Sequence, residues 1–427
     1  MDNEKVILEW QHSEPVDPSI LTEEFVRNAE KILNMGIEEM PGHAFDCVCG
    51  RHHSVDIKKL ISGSGAINKA PEALRELTDD KAKSVLLICD KNTWKAAGEE
   101  VHALLESGGY KVKVLKLETA GYPVLIPNEA AVGAVLVNVT DDVGVILGIG
   151  SGTISDMAKL VSYRTKIPSA VIGTAPSMDG YASMNAAFVI GGHKITYPVH
   201  YHSVVIADTK IMKDAPMEMM RAGYGDIVGK YTALSDWRLT KAVNDEHYCD
   251  VTARLVQNAV DICVDNTERY FKREEAAVER MNEALILTGV SMGITGYTRP
   301  ASGSEHHLSH YWELDAIEKG VEHPLHGNSV GLASIASAEV YKIMSERFEV
   351  VANVHAPDPD FLRDIYSKAG SALTPAELGI SDDVFLASLN NGYKIRPRFT
   401  IFNFTRDRGM LEEVAKTVAG KMCGNRR

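Results

Sequence analysis

Four short apolar segments constrain the fold more than anything else in the chain. Val85-Leu86-Leu87-Ile88-Cys89, Val143-Gly144-Val145-Ile146-Leu147 and Ala170-Val171-Ile172-Gly173 are continuous apolar runs, and Val112 to Leu117 alternates. Continuous runs of this length suit strands buried on both faces. Between them lie stretches with helical spacing, such as Thr93 to Ser107, closed by Gly108-Gly109, and the segment from about Asn128. The longest apolar run, around Val132 to Val139, reads on its own as another buried strand. Strands alternating with helices build βαβ units and a mostly parallel sheet.

Beyond about Pro216 the strand signals vanish. Tyr224 to Lys241, Val251 to Lys272, Ala276 to Gly289 and Ser329 to Arg347 carry apolar residues at 3.6-residue spacing, with weaker patterns from Asp360 and Pro375 onward. Leu21 to Met35 predicts a helix near the start, with Thr22 as its N-cap. The chain thus divides into an N-terminal extension (1–50), an α/β domain (51–215) and an all-α domain (216–427).

The third strand runs straight into Gly148-Ile149-Gly150-Ser151-Gly152-Thr153, which opens a helix. Bare amides and the positive end of the helix dipole make such a turn an anion site, so the α/β domain reads as dinucleotide-binding. The G-x-G-x-x-G pattern is incomplete, because Thr153 stands at its last position. Asp90 ends an earlier strand, where it either meets a ribose hydroxyl, which favours NAD over NADP, or caps the next helix. A formal net charge of −13 over 427 residues lacks the basic footprint of a nucleic-acid binder. No apolar run reaches the roughly 18 residues of a membrane span, and the polar N-terminus has no signal-peptide core. A cytoplasmic protein is expected.

Five of the fifteen histidines fall between His306 and His326, beside Glu305, Glu313 and Asp315. If the segment after Gly303 is helical, His306 and His310 share one face at i and i+4, and His326 arrives from the next element. Such a cluster suits a metal or acid–base site. A carboxylate would complete a three-ligand face, and Asp226, flanked by Gly223, Gly225 and Gly229, is the candidate; the alternative is that it caps a helix beginning there. Cys47, Cys49, His52 and His53 form a second cluster, but C-x-C crowds the ligands and no second cysteine pair follows at finger-like distance. The plainer expectation is a hairpin strand with both cysteines on one face.

Gly148 to Lys159, Gly173 to Gly180, Gly223 to Lys230, Pro300 to His310 and His326 to Gly331, in this order, resemble the sn-glycerol-1-phosphate dehydrogenases of the bacterial AraM type, within the iron-containing alcohol dehydrogenase and dehydroquinate synthase superfamily. The resemblance covers roughly residues 50 to 420. It departs from the superfamily where three consecutive glycines are replaced by Gly148-Ile149-Gly150. It implies an active site in the cleft between the two domains, one divalent ion (zinc or nickel) on Asp226, His306 and His326, and His310 as proton shuttle. It also implies NAD(H) or NADP(H) on Gly150, Ser151, Gly152, Thr153 and Thr174. Asp156 and Ser177 would lie near the nicotinamide, and Asp179, Lys230 and His310 near the substrate. The implied reaction is reduction of dihydroxyacetone phosphate to sn-glycerol 1-phosphate, for glycerophospholipid backbones. Lys230, Arg299, Lys394 and Arg396 are candidates for the substrate phosphate. Rival readings are a glycerol or other polyol dehydrogenase and a non-catalytic nucleotide or metal sensor. A dehydroquinate synthase would carry Glu where Asp226 stands. A homodimer is the base-rate expectation.

Overall fold

A computed structural model describes residues 23–78, 83–119 and 124–424; the expected N-cap Thr22 lies outside them. Ten strands are present among these residues: β1 (Ala44–Asp46), β2 (His52–Ser54), β3 (Lys59–Gly63), β4 (Ser84–Cys89), β5 (Lys111–Lys116), β6 (Val143–Ile149), β7 (Ser169–Gly173), β8 (Asn185–Ile190), β9 (His193–Pro198) and β10 (Val204–Asp208). Helices of eight residues or more are numbered α1 (Glu23–Leu33), α2 (Glu99–Ser107), α3 (Glu129–Leu136), α4 (Thr153–Thr165), α5 (Met217–Val228), α6 (Lys230–Asn244), α7 (Asp250–Asp265), α8 (Glu275–Thr295), α9 (Ser304–Lys319), α10 (His326–Ser345), α11 (Pro359–Lys368), α12 (Asp382–Asn391) and α13 (Leu411–Cys423).

Six strands form one parallel sheet in the order β3-β10-β7-β6-β4-β5. Every residue of β4, β7 and β10 is buried, as a sheet covered on both faces requires. β5 closes one edge with lysines at 111, 113 and 116, which discourages further pairing. The chain runs outward from β4 to β5, then returns to the other side of β4 as β6. That reversal puts the carboxyl ends of β4 and β6 side by side at a topological switch point, where open α/β sheets bind ligands.

Several expectations are corrected. Val132 to Val139 is not a strand: Asn128 caps α3 through its side chain to the Ala131 amide (3.0 Å), and the run continues the helix before Val137 emerges into solvent. The helix expected over Thr93 to Ser107 is interrupted, with a wider turn at Trp94–Gly98 ahead of α2. The helix expected over Tyr224 to Lys241 is two, α5 and α6, meeting at Gly229, where a Cβ would lie 2.6 Å from Val330 Cγ1. β3, β10 and the β8–β9 hairpin were not expected. The hairpin turns on Gly191 and Gly192, both at positive φ, a Gly-Gly signal between apolar runs. The β1–β2 hairpin spans residue 50, so the N-terminal extension does not end there.

Past Asp208 all labelled elements are helical. At their centre lies α10, buried nearly all round, with the small residues Gly327 and Gly331 among its buried positions. Small side chains let α5 approach it closely. A Cβ on Gly225 would come 2.2 Å from the Gly327 carbonyl oxygen, and one on Gly327 would come 1.7 Å from that of Ala222. On the opposite side of α5, a Cβ on Gly223 would come 1.8 Å from the Pro176 oxygen in the loop after β7. The glycines therefore wedge α5 between that loop and α10.

Gly225→Ala should force these backbones apart and cost about 1–3 kcal/mol or more. Gly133→Ala, in α3 with nothing within 4 Å of the new Cβ, should stabilise by up to about 1 kcal/mol through helix propensity. Denaturant midpoints of the two variants should move in opposite directions.

Candidate active site

The wedge fixes Asp226 in the last turn of α5, not at a helix start as the capping alternative required. A carboxylate is unfavourable near the negative end of a helix dipole, and Lys230, fully buried on α6, compensates it. Its ammonium pairs with Asp226 Oδ1 and lies 3.0 Å from Asp179 Oδ2. The Asp179 amide donates to Asp226 Oδ2 at 3.1 Å. Burial, then the neighbouring Asp179 charge, pushes the Asp226 carboxyl up to about 6 against the pull of Lys230. Asp179 and Lys230, expected near the substrate, are thus engaged by each other and by Asp226.

His306 is placed by α9, whose N-terminus is held from outside. The Ser304 amide donates to Asp236 Oδ2 on α6 (2.6 Å), and Tyr341 and the Ile401 amide donate to Oδ1 (2.8 and 2.7 Å). Glu305 accepts from the Gly303 amide (2.6 Å) and Thr232 (2.7 Å), and its Oε1 lies 2.7 Å from His306 Nδ1. A carboxylate there fixes the proton on Nδ1 and leaves the Nε2 lone pair facing Asp226 Oδ1, 3.8 Å away. His326, the first residue of α10, brings its ring centroid within 5.1 Å of that of His306. Donor atoms of Asp226, His306 and His326 all lie within 4.8 Å of one another. Desolvation first, with Lys230, Lys194 and Arg396 contributing, pushes His306, His310 and His326 well below 6.5. A ligand imidazole must be neutral, and the direction of these shifts favours that form. The His326 Nδ1 is buried without a hydrogen-bond partner among the described residues. The donor set fits a divalent ion.

Of the other histidines, His310 stacks on His326 with centroids 5.4 Å apart. Its Nε2 accepts from Arg396 (3.2 Å), so its proton is on Nδ1, 3.5 Å from Glu313 Oε2. His310, Glu313 and His326 form a second close group that shares His326. Lys194, on β9, pairs with Glu313, and Arg396 also donates to Thr196 (3.0 Å). His323 lies 3.9 Å from Glu313. Both nitrogens of His307, one residue from His306, are buried without partners among the described residues.

Among the phosphate candidates, Arg299 is held by Glu246 (2.7 and 2.5 Å) and the Phe399 carbonyl, and Lys394 is exposed beside Asn391. Only Arg396 reaches His310. Lys194 was missed because no strand was expected over its segment, although Phe188-Val189-Ile190, Gly-Gly and the β-branched residues after it carry a hairpin signal.

The glycine turn follows β6 as expected. Gly150 has φ +147°, and a Cβ there would press 3.0 Å from Ile154 and 3.4 Å from Thr93, beside the end of β4. Gly152 and Thr153 start α4. Ser151 accepts from the Ala175 amide (3.1 Å) and donates to its carbonyl (2.5 Å), tying the turn to the loop that carries the buried Thr174 and the half-buried Ser177. Asp90 caps the helical turn after β4, its Oδ1 accepting from the Thr93 amide at 2.7 Å. Asp156 does not stand free for catalysis. Its Oδ2 accepts from the Ala187 amide (3.0 Å) and its Oδ1 pairs with the buried Lys159 (3.0 Å), which donates to the Gly180 carbonyl (2.7 Å). It braces β8 and, through Lys159, the loop before it.

Glu305→Gln, which weakens the hold on His306 Nδ1, should lower affinity for a divalent ion about 10–100-fold. Chelator competition, with circular dichroism to show an intact fold, would measure it.

The chain matches the iron-containing alcohol dehydrogenase family over residues 61–216. It is 32% identical over 391 residues to a glycerol-1-phosphate dehydrogenase [NAD(P)+] of Halalkalibacterium halodurans, covering 86% of this chain and 97% of that protein. A second enzyme of that name, from Geobacillus stearothermophilus, is 31% identical over 402 residues, covering 88% and 99%. In fold it resembles a probable glycerol dehydrogenase from Sinorhizobium meliloti, with a TM-score of 0.64 at 16% identity, covering 86% of this chain and 98% of that one. The chain belongs to the glycerol-1-phosphate dehydrogenase family, among the iron-containing alcohol dehydrogenases.

Proposed function

We propose that this protein is an oxidoreductase that reversibly reduces dihydroxyacetone phosphate to sn-glycerol 1-phosphate with NAD(P)H, using one divalent ion. The observation that carries the reading is the convergence of Asp226, His306 and His326 beside the loop after β7, next to the switch point of the sheet. Asp226, His306 and His326 would hold the ion. When bound, the ion supplies Lewis acidity at the ketone oxygen and the nicotinamide supplies the hydride.

The protein's own groups do the rest. The amides that open α4 after Gly150-Ser151-Gly152 favour the cofactor's pyrophosphate, as a helix N-terminus does. Thr174 and Ser177 border the path from that turn toward Asp226. Lys230 holds the Asp226 carboxylate in place without contacting substrate. His310, held between Arg396 and Glu313, would pass a proton on as it takes another up. Lys194 and Arg396, beside Glu313 and His310, are the cations placed to meet a substrate phosphate. Lys194 would exchange its bond with Glu313 for one with the phosphate. Asp90 keeps its second oxygen for a ribose hydroxyl, which favours NAD over NADP. Two imidazoles and a carboxylate suit zinc or nickel. Among the described residues no helix is long and apolar enough to cross a membrane, and we place the protein in the cytoplasm as a homodimer.

NADH oxidation with dihydroxyacetone phosphate should stop after chelator treatment and return with zinc or nickel. Turnover of dihydroxyacetone alone would instead make this a polyol dehydrogenase, and silence with both would sink the enzymatic reading. Arg396→Met and Lys194→Met should each raise KM for the phosphorylated ketone at least about 10-fold, as loss of a charge-assisted bond of about 1.5–3 kcal/mol predicts. Neither should alter residual turnover of dihydroxyacetone to the same degree.

A further inference from the structure

The cysteines of the N-terminal hairpin meet a third from 200 residues further on. Cys47 and Cys49 are not on a strand face; they occupy the turn between β1 and β2, while His53 sits on β2. Cys249 immediately precedes α7. Cys47 Sγ lies 3.8 Å from Cys249 Sγ, and His53 Nε2 lies 3.2 Å from Cys49 Sγ and 3.6 Å from Cys249 Sγ. All four donor atoms are within 4.8 Å of one another. A tetrahedral zinc with Zn–S of about 2.3 Å and Zn–N of about 2.05 Å has S–S edges of about 3.8 Å and S–N edges of about 3.5 Å. The Cys47–Cys249 and Cys249–His53 separations match those edges, and the Cys49–His53 separation is about 0.3 Å shorter.

Ordinary hydrogen bonding does not account for the cluster. Thiols are weak donors and weak acceptors, yet Cys47, Cys249 and His53 are fully buried, and His53 Nδ1 has no partner among the described residues. A disulfide does not account for it either. All six cysteines are free, and the Cys47–Cys249 separation is well beyond a bond of about 2.05 Å. The surroundings are those of a bound thiolate. Thr252 Oγ1 donates to Cys249 Sγ at 3.2 Å, from the first turn of α7. Phe45 packs edge-on against the His53 ring, and His247 reaches the Cys49 carbonyl at 3.3 Å.

We propose that Cys47, Cys49, His53 and Cys249 bind a zinc ion in a closed Cys3His site, distinct from the Asp226 group, that staples the N-terminal hairpin to the helical half. Four protein ligands leave no open position, so the role is structural. Binding replaces up to three thiol protons by the metal, with no electron transferred. The C-x-C turn supplies two ligands only because β2 folds His53 back over it, and the fourth comes from a helix remote in sequence.

The test uses the full-length chain, reduced, stripped with chelator and reconstituted with cobalt. The expected result is a near-ultraviolet sulfur-to-cobalt charge-transfer band, which the oxygen and nitrogen donors of the Asp226 group cannot produce. The band should persist in His306→Ala and vanish in Cys47→Ser and Cys249→Ser. Zinc content after zinc reconstitution should fall by about one equivalent in either cysteine variant. A wild-type cobalt spectrum without the sulfur band overturns the proposal whether or not the variants fold. So does a Cys47–Cys249 disulfide found by mass spectrometry in chain that gains no band after reduction.

Discussion

Lys230 is the constraint on which the catalytic half of the molecule rests. Its ammonium is wholly buried, and the two carboxylates that face it come from different parts of the chain: Asp226 from the preceding helix, Asp179 from the loop that leaves the parallel sheet. Leaving such a charge without its partners costs about 3–5 kcal/mol. The sheet's loop and α5 are thereby held in one relation to each other. The Asp179 amide on Asp226 Oδ2 adds a directional bond to the same arrangement.

Charge would have no effect at this spot if the backbones could not come close. Gly223 lets the loop after β7 lie on α5, and Gly225 and Gly327 let α10 lie on its other side. Asp226 and His326 approach each other because of those contacts. His306 arrives by a separate route, through the outside capping of α9 by Asp236 and the grip of Glu305 on its ring. A histidine pair one helical turn apart is common in amphipathic helices; here buried carboxylates behind it select which nitrogen faces the carboxylate of Asp226.

The parallel sheet, the helical second half and the glycine turn were legible because each rests on local periodicity. Val85 to Cys89 and Val143 to Leu147 are strands for the reason that made them readable: both faces are covered, so both faces are apolar. Val132 to Val139 misled because a short apolar run carries no period, and the Asn128 cap decided it for helix. The β8–β9 hairpin, with Lys194 on it, carries mixed residues and a Gly-Gly turn, a weaker signal than a buried core strand. Asp156 looked available in the sequence. Only the fold shows Lys159 and the Ala187 amide closing on it.

The sequence by itself determined the fold class, the place of the glycine turn after a buried strand, and the residue types able to ligate an ion, because strand and helix periods and turn chemistry act over a few residues. Which of those residues meet was decided by the tertiary structure alone. Asp226 and His326 are joined by glycine contacts between helices 100 positions apart in the chain. Cys249 meets Cys47 and His53 only once the hairpin reaches the segment just before α7. Contacts between segments so distant depend on three-dimensional packing, which leaves no local periodic trace.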